Sequence, residues 1–356
     1  RMIISTLVTI HSHRYLVPAS LLSFSMVPMG AATIVSGALF WVLPRGVWES
    51  LDNTLYRGYM RLCLFVFENV SGVDLIVSGD VEELLAKKER AIILSNHQSN
   101  ADWAVAFMLA ARHSPSGALE SLRFMVKHSI QYVPLFGWYI FQHGYIFVRR
   151  AGSFKEEPVR KQLRWLNSLS SPYWLLIFPE GTRLAPATLA RSMEFREKKG
   201  LTQLERVLSP RGAGLRLCME ELNSLEAIFD LTIAYSQPEP PGMFDFVCCP
   251  MNSTVHVDIR RKEPSDVRGR ESAYLEESFH HKEKLLTSFV SQRSFFPPEQ
   301  NRRMEAISMR ETVPVTSLFV SALAAPLFCP IAAQLFFRTI SLSPLLFAWL
   351  KINKCT

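Results

Sequence analysis

The chain has 356 residues, 48% of them hydrophobic, and 39 Lys and Arg against 32 Asp and Glu give it a net charge of +7. That length holds one large or two small domains and sets no limit on core size. The basic balance suits nucleic acid or an anionic membrane surface, but no recognition-helix, zinc-finger or RNA-binding signature is present, which excludes nucleic acid as a partner.

A mean hydropathy of +0.11 hides an uneven distribution. Residues 15–44 carry no charged side chain, a run longer than the roughly 20 residues that cross a bilayer core as a helix. Pro18, Pro28 and Gly30 interrupt it and predict a kinked helix or a short helical hairpin rather than one straight rod. Arg1 and Arg14 flank the run as charges flank the core of a cleaved signal peptide, but the uncharged stretch exceeds what such a core needs. Arg45, Arg57 and Arg61 follow it, the bias of a cytosolic flank. The chain opens on Arg1 rather than Met, so further residues are expected upstream.

From residue 73 short apolar runs alternate with amphipathic segments, the pattern of an α/β domain. Strands are predicted at 73–78, 90–95, 122–126, 144–149, 174–178, 229–235 and 254–260, and helices at 80–88, 101–112, 153–170 and 213–226. The runs at 90–95 and 174–178 are continuously apolar, as in a mostly parallel sheet with helices on both faces. Residues 262–311 are charged and broken by Pro264, Pro297 and Pro298, with a surface helix predicted at 271–292. Residues 312–337 are again free of charge, and a shorter apolar run continues to Leu350, giving a second membrane region. Six cysteines at 63, 218, 248, 249, 329 and 355 form no CxxC pair, so neither a zinc site nor a disulfide framework is indicated and the thiols are expected to be reduced. Two glycosylation patterns, at Asn69 and Asn252, have no consequence on a cytosolic face.

Two strands end in polar residues that carry chemistry. In "IILSNHQSNADW" (92–103) an apolar run stops at Asn96-His97, and Asp102 follows five positions after the histidine. A strand-to-helix turn lets Asp102, in the first helical turn, fold back and accept the proton of one imidazole nitrogen, which fixes the tautomer and raises the basicity of the other. On these residues alone a helix cap with a first-turn acid is an equal reading. No GxSxG elbow occurs and no cysteine ends a comparable strand, so the nucleophile is sought in a substrate hydroxyl. In "FPEGTR" (178–183) Pro179 stops a strand, Gly181 permits an unusual backbone angle, and Glu180 and Arg183 bring opposite charges. A guanidinium there grips a phosphate or closes a salt-bridged turn. Lys127, Arg149 and Arg150 follow two other strands directly and line an anion pocket or lie solvated on the surface.

With these blocks in hand, the chain resembles the glycerolipid acyltransferase family. The family's HxxxxD motif looks like "NHQSNAD" (96–102), its second block like "GYIFVR" (144–149) and its third like "FPEGTR" (178–183), with "KHSIQYVPLFGWYIFQHG" (127–144) similar to the segment between the first and second blocks. "NHQS", "DW" and "QHG" are similar to the epsilon-type 1-acylglycerol-3-phosphate acyltransferases. The likeness covers about residues 45–260, and the fourth block is matched only by "VLSPRGAG" (207–214).

The resemblance implies transfer of an acyl chain from acyl-CoA to the free hydroxyl of a lysophospholipid, with lysophosphatidate the first expectation and lysocardiolipin or lysophosphatidylinositol the alternatives. It implies His97 as general base and Asp102 as its orienting acid. Lys127, Arg149 and Arg183 would hold the phosphate, with Glu180, Gly181 and Thr182 shaping that pocket, and neither metal nor bound cofactor is required. The chain then divides into an N-terminal membrane anchor (1–60), an acyltransferase domain (61–262), a charged helix and linker (263–311) and a C-terminal membrane region (312–356). The expected setting is the endoplasmic reticulum with the domain facing the cytosol, the mitochondrial outer membrane being the alternative. A non-catalytic lipid-binding membrane protein and a thioesterase remain as readings of another class.

Overall fold

The computed structural model describes residues 16–113, 117–149, 155–248 and 253–352. Arg1, Arg14, Arg150, Asn252, Cys249 and Cys355 lie outside the described residues. Eight strands, β1 (Asp74–Gly79), β2 (Ala91–Ser95), β3 (Leu122–Lys127), β4 (Ile146–Val148), β5 (Trp174–Ile177), β6 (Ala227–Tyr235), β7 (Thr254–Lys262) and β8 (Arg302–Met304), form one sheet. Their order is β4-β3-β5-β2-β6-β7-β1-β8. The β4–β3, β3–β5, β5–β2, β2–β6 and β7–β1 pairs are parallel, and only β6–β7 and β1–β8 are antiparallel. This is the mostly parallel α/β sheet expected from the sequence. The charged segment before the C-terminal helices adds a strand not expected there: β8 pairs antiparallel with β1 through Arg302, Arg303 and Met304.

The helices, in chain order, are α1 (Leu16–Leu39), α2 (Arg45–Leu64), α3 (Val81–Ala86), α4 (Asp102–Ala111), α5 (Phe136–Gln142), α6 (Glu156–Asn167), α7 (Pro186–Lys198), α8 (Gly212–Glu221), α9 (Met243–Cys248), α10 (Pro264–Val267), α11 (Glu271–Gln292), α12 (Met309–Phe328) and α13 (Pro330–Ile352). Side chains alternate across a strand, so β2 feeds two cores. Ala91 and Ile93 pack with Tyr56 of α2 and Phe107 of α4, while Ile92 and Leu94 pack with Leu163 of α6, Leu215 of α8 and Leu275 of α11. All five β2 residues are buried, which is why the run reads as continuously apolar rather than alternating.

The apolar run at 15–44 becomes α1, one helix that continues through Pro28 and then turns back into α2, against which it packs. Among the described residues, two helices are long and apolar enough to cross a membrane, α1 and α12. Phe24, Val35 and Trp41 of the first region and Leu318, Leu327 and Phe328 of the second are exposed, an apolar surface that water does not favour and a bilayer does. Arg57 pairs with Glu120, just before β3, and Arg61 with Glu311 of α12, so the basic flank of α1 ties the helical layer to the sheet domain through the first pair and to α12 through the second.

On the opposite face α11 is fixed to the sheet by charge. Lys282 lies 2.5 Å from Asp230 of β6, with both side chains fully buried, and Arg260 and Ser278 also donate to that carboxylate. Removing one partner of a buried pair leaves the other charge uncompensated. Lys282→Met is therefore expected to cost about 3 kcal/mol of stability, read as a lowered denaturant midpoint, with an intact sheet by circular dichroism.

Candidate active site

Strands β2 and β5 are parallel neighbours, paired Leu94 with Ile177, so the turns that follow them stand side by side at the carboxyl edge of the sheet. Ligands gather at that edge in open α/β sheets. Asn96 fixes the first turn. Its side-chain oxygen accepts from the Ile233 N–H at 2.8 Å and its amide donates to the Ile233 carbonyl at 2.9 Å. The amide thus continues the β2–β6 ladder one residue beyond the strand. Its neighbour His97 is released into the turn.

His97 and Asp102 meet as the spacing predicts. The imidazole Nδ1 lies 2.8 Å from Asp102 Oδ2, and the acid side chain is fully buried while the histidine keeps 17% exposure. Asp102 also accepts from the Ser99 N–H at 2.9 Å and from the Tyr235 hydroxyl at 2.6 Å. With the carboxylate oxygen facing Nδ1, the tautomer that this contact favours has its proton on Nδ1 and its lone pair on Nε2. The Phe178 ring stacks on the imidazole, with centroids 4.2 Å apart. The arrangement is a base oriented by an acid, with a free nitrogen able to take a proton from a bound hydroxyl.

The second turn is built around Glu180, which is only 2% exposed. One oxygen accepts the His97 N–H at 2.7 Å and the other the Leu208 N–H at 3.1 Å. Burial pushes this carboxyl up to about 8, against the pull of those two donors and with help from the Asp102 anion. Both oxygens are thus occupied by backbone donors, and the residue clasps the loops together beside the pocket it was expected to shape. Gly181 has φ +70°, a left-handed conformation that a side chain would strain. The Arg211 side chain lies across it, with Cδ, Nε and Cζ 3.7, 3.8 and 3.9 Å from where a Cβ would sit.

A cleft of about 1040 Å³ opens beside these turns, lined by Lys127, Arg149, Glu180, Gly181 and Thr182 among others. Of the residues predicted from sequence, those five come together there. Arg183 does not. Its side chain is exposed and outside the cleft lining, and its carbonyl is held by the Thr188 hydroxyl at 2.9 Å. Two cations that sequence reasoning missed take part instead: Arg191 of α7 and Arg211. Arg211 lies in the weakly matched "VLSPRGAG" stretch, and its N–H is anchored to the Pro179 carbonyl at 2.9 Å. Burial, followed by the charge of Arg149, holds His128 below its ordinary value, so the cleft's positive charge comes from Lys127 and the three arginines. Arg149 and Arg211 also border a smaller recess of about 210 Å³ with Met125, Phe178 and Gly214 in its wall. Through Phe178 that recess reaches the ring stacked on His97.

Residues 77–210 match the family model described as Acyltransferase. A mouse protein named 1-acyl-sn-glycerol-3-phosphate acyltransferase epsilon is 33% identical over 95% of this chain and 96% of its own length. The chain belongs to the glycerolipid acyltransferase family. This acyltransferase is also 32% identical, over 68% of its length and 64% of the relative's, to a probable 1-acyl-sn-glycerol-3-phosphate acyltransferase 5 of Arabidopsis thaliana. Lysocardiolipin acyltransferase 1 of Gallus gallus is 35% identical over 53% of this chain and 50% of its own. The crystal structure of the 1-acyl-sn-glycerophosphate acyltransferase PlsC from Thermotoga maritima overlays with a TM-score of 0.44 at 16% identity, covering 79% of this chain and 98% of that one.

Glu180 gives the acyltransferase a pH signature. Its folded value of about 8 lies above the ordinary 4.5, so between those values the folded state holds a proton that the unfolded state has lost, and stability falls as pH rises through that window. Glu180→Gln should flatten this slope, measured as unfolding midpoint against pH. Glu180→Ala should lower stability at every pH, because it strands two buried N–H groups at about 1–3 kcal/mol each.

Proposed function

We propose that this acyltransferase moves a fatty acyl group from acyl-CoA to the free hydroxyl of lysophosphatidate, forming phosphatidate. The observation that carries the reading is an oriented His97–Asp102 pair next to a cleft walled by Lys127, Arg149, Arg191 and Arg211. His97 Nε2 takes the hydroxyl proton as the oxygen attacks the thioester carbonyl. The C–S bond breaks, and the imidazolium returns the proton to the leaving thiolate. Asp102 stabilises the imidazolium in between. The acceptor phosphate sits among the cleft cations, with Lys127 and Arg149 from one wall and Arg211 from the other, while Gly181 and Thr182 shape the floor. The chemistry so drawn calls for no resident metal or cofactor.

The exposed apolar faces of α1 and α12 fit a site held at a bilayer, where the lysolipid arrives by lateral diffusion. The endoplasmic reticulum with the domain on the cytosolic side suits the basic flank of α1 and the absence of paired cysteines, and the mitochondrial outer membrane is the competing address. Acceptors with other headgroups are the nearest competing chemistry, since relatives include proteins named for lysocardiolipin.

A panel of lysolipids offered with labelled acyl-CoA to the protein in bilayers decides among these. Lysophosphatidate is expected to be the best acceptor. A stronger turnover of lysocardiolipin or lysophosphatidylinositol would move the assignment to that headgroup, and labelled free fatty acid without any acceptor would make the protein a thioesterase. His97→Ala should reduce acylation by at least about 10²-fold while lysolipid binding persists. Unchanged acylation would leave only a lipid-binding role. Arg211→Ala should raise the KM for lysophosphatidate by roughly tenfold or more, since a charged hydrogen bond is worth about 1.5–3 kcal/mol, with Arg183→Ala showing the smaller effect. The reverse order would return Arg183 to the phosphate site.

A further inference from the structure

Tyr235 is absent from every sequence motif, yet it makes the shortest contact to the acid of the His97–Asp102 pair. We propose that Tyr235 is a positioning residue for proton transfer by His97, its phenol holding Asp102 as the fixed anion against which the imidazole is aligned. This rests on the general-base reading of His97 given above.

The placement is built by the sheet. β2 and β6 run in parallel register as far as Ser95 opposite Leu231. Beyond that point the Asn96 amide takes both backbone groups of Ile233. β6 therefore continues alongside the turn after β2 has ended, and Tyr235, two residues on and on the same face as Ile233, reaches the acid. On its other side Tyr235 is still paired with Val255 of β7, so the ring hangs from a regular strand rather than a loop. The residue is 4% exposed.

The division of labour on Asp102 is specific. Oδ2 receives His97 Nδ1 and the Ser99 N–H, while Oδ1 receives the Tyr235 hydroxyl. Without the phenol, the side chain of a fully buried carboxylate would be held through one oxygen and free to rotate about it. The phenol keeps its proton at any working pH, because burial and the neighbouring Asp102 anion hold it well above the ordinary tyrosine value, so it acts only as a donor. A strong donor stabilises the carboxylate and lowers its affinity for the Nδ1 proton, keeping that proton on the ring. The other charged groups facing the pair are Glu180, bonded to the His97 N–H from the β5 turn, and, acting on Glu180, Lys282 of α11. Neither changes when the phenol is removed.

Tyr235→Phe deletes the hydroxyl and keeps the buried ring. Wild type, Tyr235→Phe and His97→Ala would be assayed in the same bilayers with lysophosphatidate and acyl-CoA across pH. The expected result is a kcat lower by roughly tenfold with both KM values unchanged. The acid limb of kcat/KM should move to higher pH, because a carboxylate that has lost a donor holds an imidazolium more strongly. An unchanged kcat and limb would overturn the proposal. So would a lower kcat with an unmoved limb and a depressed unfolding midpoint, which is the mark of a structural residue. If wild type acylates no lysolipid, the functional reading fails separately, and the His97 imidazole titration followed by NMR in wild type and Tyr235→Phe still decides: an unshifted midpoint overturns the role given to Tyr235.

Discussion

The buried carboxylate of Glu180 is the contact on which the geometry of the site depends. By accepting the N–H of His97 and the N–H of Leu208, it ties the turn after β2, the turn after β5 and the loop before α8 to one point. Each of those segments contributes a different part of the site: the base and its acid, the glycine floor, and the arginine opposite. A lysine or arginine in place of either backbone donor would make a buried ion pair whose geometry depends on a flexible side chain. Backbone donors give instead a bond whose length is set by the path of the chain, so the relative height of the three loops cannot drift while the clasp is closed.

Electrostatics and shape are separated in this arrangement. The acid of the dyad is buried, holds three donors and is fixed by the sheet, whereas the cleft cations come from four separate elements: β3, the end of β4, α7 and the loop before α8. Proton transfer needs fixed distances. Capture of an anion tolerates variation, and long flexible side chains at a rim serve that purpose. The helical layer adds the third part: α1 and α12 present apolar surface outward while Arg57 and Arg61 of α2 pair with Glu120 of the domain and Glu311 of α12.

What could be read from the sequence follows from how local each signal is. β2 and β5 were legible because burial on both faces makes them uninterrupted apolar runs, and the His97–Asp102 pair because one turn brings the two residues together. β8 was not legible: three residues with two exposed arginines carry no alternation, and only the open edge of β1 makes them a strand. α7 escaped for a similar reason, since it is largely exposed and has no apolar stripe to betray its period. The direction in which Arg183 leaves its turn was also hidden, because spacing places a residue in a turn without saying which way its side chain departs. Arg191, Arg211 and Tyr235 reach the site from elements far along the chain, and no spacing rule connects them to residue 97.

The cations of the cleft have an effect beyond the headgroup proposed for them. Lys127, Arg149, Arg191 and Arg211 are exposed and belong to a chain of net charge +7, so their field extends about 8 Å into solution at physiological ionic strength. For a domain anchored at a bilayer, a leaflet rich in anionic lipids would lie within that range, and each basic side chain near such a surface is worth about 1 kcal/mol of attraction. Charges proposed to receive one phosphate would thus also draw the mouth of the cleft towards such a leaflet. Abundant anionic lipids that cannot be acylated then compete for the same mouth, so the composition of the surrounding leaflet, and the salt above it, become part of how selective the protein is.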